Sequence, residues 1–139
     1  MGNIKECSVA DVETLAELNK MLIEDEKADN KMNMAQLKER MKDFLEKGYK
    51  AYYFLKDNGD ITGYALCDFN KDPLYLRQFF IKREERRKKL GKEFFKRLVE
   101  HTERKDIEID VYEWNEAGKS FWESVGFEKK YMHMVYRET

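Results

Sequence analysis

Lys82, Arg83, Arg86, Arg87, Lys88, Lys89 and Lys92 crowd into one short stretch, opposed only by Glu84, Glu85 and Glu93. A helical period begins inside it: Leu90, Phe94 and Leu98, flanked by Phe95 and Val99, recur at three- and four-residue spacing. A helix start leaves backbone N–H groups unpaired and carries partial positive charge, so cations gathered just before it form a cradle for phosphate. Gly91 falls in the first turn, where a missing Cβ lets backbone approach a bulky anion. From charge alone, a solvated loop with an incidental glycine accounts for the same residues.

The elements that must hold this stretch read clearly on both sides. Residues 74–81, LYLRQFFI, are rich in aromatic and branched side chains and predict a strand running straight into the charged loop. Upstream, 3–7 is a short strand. Ser8 with Asp11 predicts a capping box opening a helix whose apolar face is Val12, Leu15, Leu18 and Leu22. The acidic run 24–30 lacks periodicity and is expected as a loop or frayed helix end. Asn33 with Gln36 opens a second helix carrying Leu37, Met41, Phe44 and Leu45 and closed by Gly48. Asn58-Gly59 between 51–56 and 61–69 is a hairpin signal. After the basic-loop helix, 107–111 alternates as a strand, 117–125 is helical with Gly126 at its C-terminus, and 127–136 is expected as a final strand. The order βααβββαβαβ predicts a mixed α/β fold.

Composition bounds the function. The 139 residues are 42% hydrophobic, 14% aromatic and 40% charged, with net charge −1 and pI near 6.2. One domain spanning 1–139 is expected, and a basic site must be local, since the whole chain is no polyanion binder. Cys7 and Cys67 stand far apart outside any C-x-x-C pattern, so both are read as free thiols with no disulfide framework and no metal site. No apolar run approaches a membrane span, no signal-peptide core opens the chain, and Met1-Gly2 lacks the Ser or Thr of a myristoylation signal at Glu6. A cytoplasmic protein is expected, with no membrane partner. Nucleic acid is not expected either, because the basic loop has no interleaved aromatics.

The segment Arg86-Arg87-Lys88-Lys89-Leu90-Gly91 resembles the R/Q-x-x-G-x-G/A signature of the GNAT superfamily of N-acetyltransferases, with Lys89 at the first glycine. Residues 114–127, WNEAGKSFWESVGF, are similar to the family's N-x-x-A-x-x-F-Y-x-x-x-G-F stretch, with Gly118 at the alanine and Trp122 at the tyrosine. The resemblance implies a central mixed, mostly antiparallel sheet flanked by helices. It implies acetyl-CoA as co-substrate, with pantetheine in a gap between the strands at 74–81 and 107–113. Backbone near Phe79 and Ile81 would hold pantetheine and polarise the acetyl carbonyl. Arg86, Arg87, Lys88, Lys89, Leu90, Gly91 and Lys92 would hold the pyrophosphate, and Asn115 would complete the cofactor set.

Direct attack by a neutral amine on the thioester, with both substrates held in one cleft, is the expected chemistry. Trp122 cannot serve as the acid that some relatives' tyrosine supplies, and is expected as a core aromatic; thiolate leaves without it. Arg77-Gln78 stands where some relatives carry a glutamate, so no catalytic residue is named. Asp68, Glu24, Asp25, a water relay, an already neutral amine and His133 stay open for the proton. The resemblance puts the acceptor, a small-molecule or peptide amine, among Glu24, Tyr64, Asp68 and Gln78. The acids near Glu24 would attract a cation, whereas Arg77 would favour an acceptor with a carboxylate. A non-catalytic CoA-binding sensor or interaction module is the competing function, and a homodimer is left open.

Overall fold

The computed structural model describes residues 3–86 and 89–138. Strand β1 (Asn3–Glu6) leads through a 3-10 turn at Val9–Asp11 into α1 (Val12–Glu26), and α2 (Met34–Glu46) follows. Three strands come next, β2 (Tyr49–Leu55), β3 (Ile61–Asp68) and β4 (Leu74–Ile81). Helix α3 (Leu90–Thr102), the two-residue β5 (Ile107–Glu108) and α4 (Glu116–Ser124) complete the described elements. The sheet runs β1-β2-β3-β4-β5, antiparallel except for the parallel β4–β5 pair.

Local chemistry explains the boundaries. Ser8 accepts from Ala10 N–H at 3.2 Å while Asp11 accepts from Ser8 N–H at 2.9 Å. Asn33 and Gln36 exchange the same pair of bonds, each 2.9 Å. Such caps are each worth about 1 kcal/mol. Gly59 takes φ +92° in the Asn-Gly turn between β2 and β3, as the hairpin signal requires.

Two cores sandwich the sheet. On one side Leu15, Leu18 and Leu22 of α1 and Met41 of α2 pack on Tyr53, Tyr64, Leu66 and Phe80. On the other, Phe94 and Leu98 of α3 and Trp122 of α4 cover Tyr52, Phe54, Ala65, Leu74, Leu76 and Ile81. The sheet therefore has two occupied faces, and any cleft must lie where a helix layer or a ladder stops.

The acidic run 24–30 divides between a helix end and a loop, as expected: Glu24, Asp25 and Glu26 form the last turn of α1, which stops at Lys27 in the left-handed region (φ 53°). Helical hydrogen bonds to the preceding turns hold these acids despite their repulsion. Residues 127–136 do not form the final strand. Their alternation suits one, but a strand exists only where backbone finds a ladder partner, and β5 leaves the sheet after Glu108, without a long edge to pair with. Tyr131, Met132, Met134, Val135 and Tyr136 are 63–87% exposed. For the same reason the 107–111 strand shrinks to two residues. No helix among the described residues is long and apolar enough to cross a membrane.

Candidate active site

No side chain caps the start of α3, whereas Asn33 caps α2 and Asn115 caps α4 by accepting from Gly118 N–H at 2.9 Å; α1 also lacks a side-chain cap but continues directly from the 3-10 turn at Val9–Asp11. The first described backbone bond of α3 runs from Glu93 N–H to Lys89 O at 3.3 Å, so among the described residues the amides of Leu90, Gly91 and Lys92 have no backbone acceptor at this positively polarised end. Lys89 holds φ 60°, ψ 16°, a left-handed backbone that L residues adopt at a cost. Lys89→Gly is expected to stabilise the protein by about 1 kcal/mol, read as a higher midpoint of thermal unfolding. Arg87 and Lys88 lie outside the described residues.

Arg86 is bound within the protein, and Arg83 shares its carboxylate partner Asp25 at 3.2 Å. The Arg86 Nη2 and Nη1 donate to Asp25 at 2.6 and 3.3 Å, and its Nε donates to Ile81 O at 2.9 Å. The guanidinium thus clamps the loop to the end of β4 and to α1. Burial alone would raise the Asp25 carboxyl, but hydrogen bonds and charge from Arg86 and Arg83 hold it below its usual value. Asp25 is therefore a poor base.

Strand β4 supplies an open edge. Its ladder with β5 consists of Leu74–Ile107 and Tyr75–Glu108 only, so from Leu76 to Ile81 that side of β4 has no ladder partner among the described residues. On the β3 side, Leu66 pairs with Gln78 and Cys67 with Leu76, which leaves Arg77 as an extra residue, a β-bulge. Phe79 stands below this edge at the centre of an aromatic cluster, with centroids 5.0 Å from Phe94, 5.8 Å from Phe121 and 5.0 Å from Trp122. Trp122 also meets Phe95 at 5.6 Å and Phe127 at 5.2 Å, the packing role expected of it.

Across the sheet, on the α1 and α2 side, Glu26, Arg40, Tyr64, Gln78 and Tyr112 form a polar group linked by a hydrogen bond and by charge. Tyr64, 0% exposed, donates to Gln78 Oε1 at 2.7 Å, and Gln78 is 8% exposed. Trp114 stacks on Tyr112 at 4.6 Å and donates its indole N–H to Glu26 O at 2.9 Å, which brings the 112–114 loop over the end of α1. Burial, then the Asp25 charge, raises the Glu26 carboxyl above its ordinary value. Two consecutive carboxylates are thus pushed apart, Asp25 down and Glu26 up, a pattern common where proton transfer occurs. Glu26 lies within electrostatic reach of both Tyr64 and Tyr112.

The residues named from sequence fall into distinct groups. Lys89, Leu90, Gly91 and Lys92 converge at the α3 start, with Gly91 beside Ile81 and Leu90 packed on the same core as Phe79. Asn115 spends its Oδ1 on the α4 cap. Tyr64 and Gln78 form one buried pair, while Glu24 is exposed on the outside of α1. Asp68 turns to Asn70, accepting from its backbone N–H at 2.9 Å and its Nδ2 at 3.0 Å. His133 is exposed in the C-terminal arm. Glu26, Arg40 and Tyr112 escaped the sequence reading: Glu26 was one acid in a run, and Arg40 one of many cations on an amphipathic helix. Among the described residues no cluster of His, Cys, Asp and Glu suits a metal ion.

The family model for an acetyltransferase (GNAT) domain matches residues 10–137. No curated protein sequence matches the chain. The fold is similar to that of a possible acetyltransferase from Clostridium difficile 630, at TM-score 0.79 and 18% identity over 100% of this chain and 98% of that one. A predicted acetyltransferase from Clostridium acetobutylicum, solved with acetyl-CoA, gives TM-score 0.75 and 14% identity over 99% and 96%. An aminoglycoside N-acetyltransferase in complex with CoA gives TM-score 0.74 and 15% identity over 99% and 95%.

Proposed function

Because this chain belongs to the GNAT acetyltransferase family, we propose that all of 1–139 acts as one N-acetyltransferase domain that moves an acetyl group from acetyl-CoA to a primary amine of a small molecule or peptide. The observation that carries this reading is the combination of an uncapped, cation-flanked α3 start with an unpaired β4 edge leading from it. A phosphate-bearing, amide-rich chain is the ligand such a surface suits. The Leu90, Gly91 and Lys92 amides hold the pyrophosphate, assisted by the charges of Lys89, Arg87 and Lys88. Arg86 braces the loop through Asp25 and Ile81 O. Backbone groups of Phe79 and Ile81 hold the pantetheine arm, and Asn115 contributes its side-chain Nδ2, since its Oδ1 and backbone N–H are already bonded.

Acetyl-CoA supplies an acyl group already activated as a thioester. The remaining work is positioning and proton removal. The acceptor enters from the α1 and α2 side, over the Tyr64–Gln78 floor, with Glu24 and Asp68 at greater distance. Its nitrogen bonds to the acetyl carbon as the C–S bond breaks, and its proton passes to Glu26, whose raised affinity for protons suits it to the task. CoA leaves as thiolate. Trp122→Phe is accordingly expected to keep turnover within about tenfold of wild type and to lose about 1 kcal/mol of stability, measured by steady-state kinetics and thermal unfolding.

Calorimetric titration with acetyl-CoA, followed by thiol release over a panel of amines, tests the proposal. Burial pushes both Cys7 and Cys67 up to about 12, so the protein's own thiols stay silent in such an assay. Binding with amine-dependent thiol release supports the reading. Binding without release from any amine leaves a CoA-responsive module, and absence of binding removes both.

A further inference from the structure

Arg40 of α2 and Arg77 at the β4 bulge bear on the same ring. Their Cζ atoms lie 5.5 and 4.9 Å from the Phe44 centroid. Two guanidiniums so placed repel, and burial followed by the Arg77 charge lowers the proton affinity of Arg40. Asp68 and Asp110 approach Arg77 only through the Tyr49 and Tyr75 hydroxyls, and Glu26 shares the Tyr64 and Tyr112 hydroxyls with Arg40. Arg40 donates Nη2 to the neutral Asn19 Oδ1 at 2.8 Å, and its buried Nε has no hydrogen-bond partner. Arg77 is exposed, and its one hydrogen bond among the described residues goes to the Tyr49 hydroxyl, at 3.4 Å. Among the described residues neither has a carboxylate within ion-pair distance, although the chain holds 28 Asp and Glu and pairs many of its other cations.

We propose that Arg40 and Arg77 form an anion clamp that selects an acceptor amine carrying its own carboxylate. This rests on the acetyltransferase reading above and deepens it. Arginine is suited to the role because its planar fork meets a carboxylate through two parallel hydrogen bonds. Tyr112 lies within electrostatic reach of Glu26, Asp29 and Arg40. The polar group therefore holds both signs of charge: the Glu26 carboxyl, to which the amine loses its proton, and the unspent donors of Arg40 and Arg77. A zwitterionic amino acid matches both. A polycation, such as an aminoglycoside, would be repelled by the clamp.

The test uses the full-length protein with acetyl-CoA and matched acceptors: glycine, β-alanine, γ-aminobutyrate and longer ω-amino acids, each beside its carboxamide. Rates are corrected for the fraction of neutral amine. At one chain length at least, kcat/KM for the acid is expected to exceed that for the amide by about 10- to 100-fold. Arg77→Gln and Arg40→Gln should each shrink that ratio toward one, with acetyl-CoA affinity unchanged by calorimetry, and Arg77→Lys should keep part of it. Arg77 is exposed, so its variants report even if Arg40→Gln fails to fold. A wild-type ratio near one at every length overturns the clamp, as does failure of every carboxylated acceptor in a protein that binds acetyl-CoA. Failure to bind acetyl-CoA overturns the acetyltransferase reading and the clamp with it.

Discussion

Glu26→Gln is expected to lower kcat by about 10²- to 10⁴-fold with little change in acetyl-CoA affinity. The carboxylate ends α1 beneath the 112–114 loop, half-buried, with no ion-pair partner among the described residues. Burial and then Asp25 raise its pKa. As a proton acceptor it works only when ionised, so wild-type kcat should rise with pH through a value above the ordinary glutamate range, and that limb should vanish in the variant. Stability runs the other way. A carboxyl whose folded pKa exceeds its unfolded one favours the folded state while protonated, below the unfolded pKa, and this contribution is lost as pH rises through the folded pKa. At neutral pH Glu26→Gln should therefore melt no lower than wild type. A variant that keeps full turnover and an unchanged pH profile would remove Glu26 from the chemistry.

Gly91→Val should cost about 1–3 kcal/mol of stability through overpacking. A Cβ at position 91 would stand 2.9 Å from Phe121 Cε1 and 3.2 Å from Cζ, so the glycine makes room for α4. If its amide also faces the pyrophosphate, the variant loses CoA affinity for a second reason. The two separate in a Phe121→Ala background, itself destabilised by loss of the ring's contacts with Phe79 and Trp122: there Gly91→Val should no longer lower the unfolding midpoint, while it should still lower CoA affinity by calorimetry. No effect of the valine on either quantity in that background would mean that Gly91 serves packing alone.

The legible features were those decided by short-range chemistry. Both capping boxes, the Asn-Gly turn and the bounds of β4 follow from neighbouring residues, and the structure has each of them. Position 91 was marked as intolerant of a Cβ, but the neighbour that forbids it, Phe121, is thirty residues away in sequence. The expected strand at 127–136 depended on a partner edge, and alternation says nothing of whether one exists. Arg86 looked like one more phosphate ligand because a run of charge does not reveal that Asp25 would approach it from α1. Glu26, Arg40 and Arg77 acquire meaning only when α1, α2 and the β4 bulge meet.

The single extra residue in β4 is a phase shifter. Above it, odd-numbered Phe79 and Ile81 face the α3 core; below it, even-numbered Leu74 and Leu76 do. Even-numbered Gln78 and Phe80 meanwhile face Tyr64 on the opposite side. With strict two-residue alternation, one pair or the other would be turned into the wrong layer. Removing Arg77 would therefore do more than delete a cation: the strand would have to expel two large apolar side chains from a core or slide its pairing with β3. A length change at this position is far less tolerable than any substitution there, and the chain's reading frame of inward and outward residues is set from this point.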